Sequence, residues 1–364
     1  FVIDQLTFSG TPNKFSLDSL RLSLPDSNFS GSLSFNNSEK TSNLVIDELI
    51  INPEDILAFV PSLAQSQVDF LQHLGTSKMT GELIRRSSNH KINMAVYTSF
   101  GLLDVDFDFL KKDTQTPSFY DGKVRGNQFD MGGLLKQNTL GVSDFAFDIK
   151  GKGLQLNQLD TELNGYFSSF SYQDIKLDTI SVNLDAKYGQ IIGSVDINDS
   201  EAKIQVEGEF NVNYSLQKLS AFAEVNQLKL KSFFPSTFKK ERDFSGNFEI
   251  VSLGEQVNEF IGDIKANAVQ INIDDQRYTF EDFTIQSRVN KDLRFFNFQS
   301  VDFINGLIYG RFELLDIEKM FRNSLGSYFS NYQSIEVDQS SFMNFNINLK
   351  EKFSGAFLEQ IIIP

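Results

Sequence analysis

Between residues 166 and 212 nearly every second position is apolar. Ile180, Val182, Leu184 and Ala186 alternate with Ser181, Asn183 and Asp185, and after Lys187-Tyr188-Gly189-Gln190 come Ile191, Val195 and Ile197. After Asn198-Asp199-Ser200 follow Ile204, Val206, Gly208 and Phe210 against Gln205, Glu207 and Glu209. A period of two sends alternate side chains to opposite faces of a strand. Three such runs joined by short polar turns predict an antiparallel meander with one dry and one wet face. Residues 271 to 315 repeat the order: Phe283, Ile285 and Val289, a turn at Asn290-Lys291-Asp292, Phe296 and Phe298, then Ile304, Ile308, Gly310 and Phe312. The two stretches lie roughly 100 residues apart, and such repetition marks a quasi-one-dimensional architecture.

The same pattern extends outward. Residues 1 to 51 hold about four strands: Val2 to Phe8, Phe15 to Leu24, Phe29 to Phe35 and Leu44 to Ile50. Residues 53 to 74 change period, with Ile56, Leu57, Val60 and Leu63 three or four apart, Pro53 at the helix start and Glu54 and Asp55 in its first turn. Pro61 divides this segment into two short helices. Strands resume over about 78–86, 91–97 and 100–110. In the last of these, Leu103, Val105, Phe107 and Phe109 alternate with Asp104, Asp106 and Asp108. A strand over 121–127 enters a short helical segment at 129–135, and Phe145, Phe147 and Ile149 open the next strand. A strand over 218–228 enters the segment 230–235, Phe244, Phe248 and Ile250 begin another sheet segment, and a helix starts at Asp316 and runs to about Tyr332. Strand-to-helix transitions thus recur near 52, 128, 229 and 316. They divide the chain into approximate repeats 1–128, 129–229 and 230–332, with the start of another at 333–364 and no linker between them.

Composition narrows the function. Phe contributes 37 of 364 residues and Trp none, which suits strands and apolar surfaces. A net charge of −15 disfavours nucleic acid and anionic membrane surfaces as broad electrostatic partners. The absence of Cys removes disulfides, thiol catalysis and Cys-based metal sites. No run is long and apolar enough to span a bilayer, and no secretory signal is present. A chain that opens at Phe1 and stops at Ile361-Ile362-Ile363-Pro364 reads as the interior of a longer protein.

Catalytic chemistry finds little footing. His73 and His90, the two histidines, have no ligand-like neighbours. Gly151-Lys152-Gly153 lacks the third glycine of a dinucleotide loop and reads as a hairpin turn. Asp104, Asp106 and Asp108 share one strand face without the glycine-bearing loop of a calcium site, so they read as a solvated face. The Asn-x-Ser triplets at Asn28, Asn36, Asn198 and Asn213 suit an Asn- and Ser-rich surface. The expectation is a non-enzyme without cofactor or metal.

An apolar sheet face must be covered. Alternation alone fits a β-sandwich, in which a second sheet supplies the cover. Repetition along the chain and the scarcity of helices favour a sheet of roughly 20 to 25 strands growing sideways, on the order of 100 Å long at about 4.8 Å per strand. The expected fold is therefore mainly β: an elongated, repetitive antiparallel sheet curled into an open apolar groove, a β-taco, with a few short helices. Candidate groove-lining residues are Leu103, Val105, Phe107, Phe145, Phe147, Ile149, Ile180, Val182, Leu184, Val195 and Ile197. They continue with Ile204, Val206, Phe210, Phe248, Ile250, Phe283, Ile285, Phe296, Phe298, Ile308 and Phe312.

The order of landmarks resembles the TamB family of translocation and assembly module proteins, within the wider AsmA-like, bridge-like lipid-transfer group. The matching stretches are Ile51 to Pro61, Asn127 to Leu135, Gly151 to Leu154, Phe170 to Asp178, and Gly310 to Leu314 before the helix at 316. Each is loose; their order and spacing carry the likeness over most of the chain. The family's N-terminal anchor and C-terminal partner-binding domain have no match here, as for a central portion. The resemblance implies a conduit spanning the periplasm of a Gram-negative bacterium, anchored in the inner membrane by a segment outside this one. It also implies a BamA-superfamily partner in the outer membrane, TamA or a lipoprotein variant, engaged through a region outside this one. Its cargo would be phospholipid, moved between the membranes; the alternative is a scaffold for outer-membrane protein assembly. No nucleic acid is implied.

Overall fold

A computed structural model describes residues 2–59, 65–110, 118–155, 158–173, 175–213, 217–235, 238, 240–254, 260–326, 334–338 and 340–352. The protein is mainly β, and the paired strands in each of its two compact units, 1–188 and 189–364, run antiparallel. No helix among the described residues is long and apolar enough to cross a membrane.

The first unit begins with β1 (Val2–Gln5) and β2 (Phe8–Thr11), both laddered to β3 (Lys14–Ser23). The sequence reads these two as one strand. They separate because the register slips between Ile3 and Gln5 and Leu6-Thr7 leave the ladder, where Thr7 O accepts from Asp18 N at 3.0 Å. The meander continues through β4 (Asn28–Asn36), β5 (Thr41–Ile51), β6 (Ser77–Arg86), β7 (Asn89–Thr98), β8 (Gly101–Leu110), β9 (Phe119–Asp130), β10 (Leu140–Lys152) and β11 (Asp160–Tyr172). Each pairs with the next. The short β12 (Ile175–Leu177) pairs with the C-terminal part of β11, and β13 (Ile180–Lys187) with the remainder.

Helices α1 (Pro53–Phe59) and α2 (Gln65–Leu74) follow β5, and α3 (Met131–Leu135) follows β9. Asn52 Oδ1 accepts from Glu54 N at 2.9 Å and starts α1 at Pro53. Asp55, buried in its first turn, accepts from Asp26 N at 2.9 Å and ties the helix to the β3–β4 turn. Asp130 caps α3 through Gly133 N at 2.9 Å. His73 Nε2 lies 2.7 Å from Gly133 O, so α2 and α3 meet at one end of the strands. Val60, Pro61 and Leu63 lie outside the described residues.

The second unit is the meander β14 (Gln190–Asn198), β15 (Ala202–Asn211), β16 (Lys218–Lys229), β17 (Asp243–Leu253), β18 (Ile261–Ile273), β20 (Phe283–Asn290), β21 (Leu293–Ser300), β22 (Ile304–Arg311) and β23 (Phe342–Leu349). The short β19 (Gln276–Phe280) shares one side of β18 with β20, as β12 shares β11 with β13. The repeated device is therefore a long strand whose return is broken in two. Helix α4 (Leu230–Phe233) follows β16, and a 3₁₀ turn at Leu314–Asp316 leads from β22 into α5 (Ile317–Gly326). The residues to Tyr332 assigned to that helix from sequence fall partly outside the described set. The turns Tyr188-Gly189 and Lys291-Asp292, aligned by the repeat, both open on a left-handed residue, φ 50° at Tyr188 and 57° at Lys291.

Register shifts recur on adjacent strands, at Leu17/Leu20, Ser30/Gly31 and Ile46/Leu49, at Ser143/Phe145, and at Val225/Leu228 and Ser245/Asn247. Such bulges bend a strand and sharpen its twist. Among the described residues no ladder joins the first and last strands of either unit, so neither sheet closes into a barrel. The core is thin. Among the described residues fifteen apolar ones are buried, in a chain that is 40% hydrophobic.

Candidate functional site

Register turns the alternation of single strands into rows. In the first unit one row runs Leu20, Gly31, Ile46, Gly81, Met94, Val105, Val124, Phe147, Gly165, Val182. The row beside it runs Leu17, Leu33, Leu44, Leu83, Ile92, Phe107, Gly122, Ile149, Leu163, Leu184. A third passes through Leu103, Gly126, Phe145, Phe167 and Ile180. No charged residue interrupts these rows from β3 to β13. In the second unit Val195, Val206, Ala223, Phe248, Ala266 and Phe283 form one row, and Ile250, Ile264, Ile285 and Phe298 belong to another. Ile197 pairs with Ile204, and Phe210 lies opposite Ile191.

The structure thus gathers the candidates of each unit on one face of its sheet. Most are half-buried and none is exposed. Ile180, Phe296, Ile308 and Phe312 are the fully buried ones, each 7% exposed. The last three pack with Leu314, Ile317 and Met320, so α5 covers the dry face there. Phe312 itself follows the end of β22. A face sealed by a second sheet would be buried along its length, as protein interiors are close-packed. Half-exposure along the rows describes a single layer whose neighbours on the sheet shade one another.

Aromatic rings make much of this surface. Phe145 and Phe147 lie 5.8 and 5.3 Å from Phe167, and Phe129, 2% exposed, meets Phe145 edge-on at 6.1 Å. Their laddered partners are often glycines. A Cβ on Gly126 would lie 2.3 Å from Cε1 of Phe145, and one on Gly165 2.4 Å from Cδ1 of Phe147. The rings therefore fill the space above their glycine partners and smooth the face. Sequence reasoning passed over these glycines; glycine within an alternating strand next to Phe-bearing strands was the available signal.

The opposite face is charged and wet. Lys123 meets Asp148 at 3.2 Å, Lys150 meets Asp121 at 3.2 Å, and Lys91 lies 3.9 Å from Asp106. Asp104, Asp106 and Asp108 are exposed on this face. Gly151 and Lys152 end β10 and Gly153 opens the connection to β11 with φ +79°, so this stretch forms a hairpin. In the second unit Glu201 accepts from Lys229 Nζ at 2.9 Å and from Ser232 Oγ at 2.5 Å. These bonds, Ser232 first and Lys229 next, hold its carboxyl below the usual range, while the bond to Glu201 raises the Lys229 ammonium.

The two ends of the first unit's strands also differ. Helices α1 to α3 occupy the end reached through Met79 and Phe129. At the other end the dry-side row mixes aromatic and polar residues, running Phe15, Phe35, Ser42, Arg85, His90, Phe109, Tyr120, Gly151 and Thr161. Tyr120 and Thr161 join by a 2.5 Å hydroxyl contact. Comparison with family models, with curated proteins and with solved structures finds no match to this chain.

Proposed function

We propose that the dry face is a hydrocarbon-binding groove and that the chain serves as part of a bridge-like conduit for phospholipid. One observation carries this reading: the apolar rows run unbroken across β3 to β13, and apart from Ile46, Ile180 and three glycines their residues stay partly exposed. Water on such a face is unfavourable, and an acyl chain displacing it gains roughly 0.8 kcal/mol per buried methylene. Fourteen methylenes would supply on the order of 10 kcal/mol before the cost of immobilising the lipid. Successive rungs offer similar side chains, so a lipid can slide across the strands without passing a deep trap. The bulges support a sheet that curls around its cargo. The resemblance to TamB-type proteins adds the setting: the periplasm, an inner-membrane anchor, and a BamA-superfamily barrel as outer-membrane partner, both engaged through other regions.

A scaffold for outer-membrane protein strands is the second reading. The same partly buried apolar face favours it, since it would also suit the apolar side of a nascent strand. Photo-crosslinking in intact cells separates the two. With a probe in turn at Val182, Asn183, Leu184 and Asp185, the conduit gives phospholipid adducts at Val182 and Leu184 alone. A folded chain with no lipid adduct at any of the four sinks the conduit reading.

A further inference from the structure

We infer that lipid lies in the first unit with its acyl chains along the strands and its phosphate over the Arg85–His90 lip. This rests on the hydrocarbon-groove reading and adds an orientation and a recognised group to it. Along β6 the dry side passes from Arg85 through Leu83 and Gly81 to Met79. The six steps from Arg85 to Met79 span about 20 Å at roughly 3.4 Å each, the length class of one extended long acyl chain.

The two ends of that path differ in charge. At the lip, Arg85 and His90 are direct cross-strand partners on the dry side. Lys14 and Arg86 fall in the adjacent row Lys14, Asn36, Thr41, Arg86, which alternation turns to the wet face at the same strand end, and Lys40 stands in the β4–β5 turn, so Arg85 and His90 are the dry-side cationic pair. Among the described residues neither Arg85 nor Arg86 forms an ion pair, nor does Lys14 or Lys40; Arg85 Nε donates only to Ser87 O at 3.4 Å. Glu39 is the nearby acid in this stretch of turn. At the far end stand Asp26, Glu48, Glu54 and the buried Asp55, with α1 beside them, and Lys78 is held by Glu48 at 2.6 Å. On the dry side that end presents the apolar row Leu22, Phe29, Leu49, Met79 and Val96, which offers a phosphate diester no side-chain donor. At the lip it would meet a guanidinium able to donate two parallel hydrogen bonds.

The test compares phosphatidylglycerol with diacylglycerol of identical acyl chains, each delivered from neutral detergent micelles to the purified chain. The probe pair isolates the phosphate. The expected result is tighter binding of phosphatidylglycerol, weakened about tenfold in an Arg85→Gln/His90→Gln variant, with diacylglycerol binding unchanged. A diazirine at the acyl terminus should label the Met79 end of β6. Equal binding of the two lipids, or a variant that binds phosphatidylglycerol normally, overturns the orientation and leaves the groove standing. Binding of neither lipid by the unmodified chain overturns the groove itself.

Discussion

Changing Val182 to Asp asks directly whether the dry face is open. Val182 lies opposite Gly165, which offers it no side chain, and its same-face neighbours along β13 are Ile180 and Leu184. Full burial of a valine stabilises by about 1.5–3 kcal/mol, so a half-buried one contributes about 1 kcal/mol. Poor fit of aspartate in a strand adds about 1 kcal/mol more. On an open face the carboxylate keeps much of its water, and the total loss is about 2 kcal/mol. On a face sealed by another layer the same charge would be buried without a partner, at several kcal/mol. That is comparable to the whole stability of an ordinary domain, about 5–15 kcal/mol. Urea unfolding followed by circular dichroism measures the difference, with Asn183→Asp on the exposed face as the matched control. The reasoning predicts a folded Val182→Asp variant with a lowered urea midpoint, a control within about 0.5 kcal/mol of the parent, and loss of lipid binding in the first variant only. A Val182→Asp chain that fails to fold beside a normal control would refute an open face.

Two further changes test the packing. Gly126→Ala would press a methyl into the Phe145 ring and displace it from Phe129 and Phe167, costing about 1–3 kcal/mol; Phe145→Leu in the same chain should recover part of that in thermal unfolding. No loss in Gly126→Ala would mean the ring does not lie over the glycine. Glu201→Gln should cost about 1 kcal/mol at pH 7, because the carboxylate holds Lys229 and Ser232. The folded-state pKa of Glu201 is depressed, so its contribution is present above the ordinary value of 4.5 and fades as pH falls through the lower folded value. Urea midpoints of parent and variant should differ at neutral pH and converge in acid; a gap that persists in acid refutes the assignment.

Much of the fold was legible because alternation is local. Leu103 to Phe109 against Asp104 to Asp108 fixes the two faces of β8 before any partner is known. Strand-to-helix transitions were legible too, since Pro53, and Asp130 before a short apolar run, act on the backbone next to them. Three features were not. The split of the first strand depends on Asp18 reaching Thr7, a contact set by β3. The covering of Phe296, Ile308 and Phe312 depends on where α5 folds back, which the period of that helix leaves open. The polar lip depends on register, because Arg85 and His90 read as ordinary surface residues until β6 and β7 are paired and both fall on the dry side.

A single-layer sheet with a largely uncovered apolar face must be stable without a second layer. Ladder hydrogen bonds pair most of the backbone of the described interior strands, so the backbone needs no second layer to satisfy it. The rings of Phe145 and Phe147 lie over glycines and pack on Phe167, which hides backbone and aromatic surface without a second layer. Phenylalanine suits this role better than tryptophan, since it buries a large apolar surface with no N–H to satisfy. Along the rows most side chains stay partly exposed, with Ile46 and Ile180 buried at 4% and 7%. On the conduit reading proposed above, rungs this alike would hold hydrocarbon without trapping it.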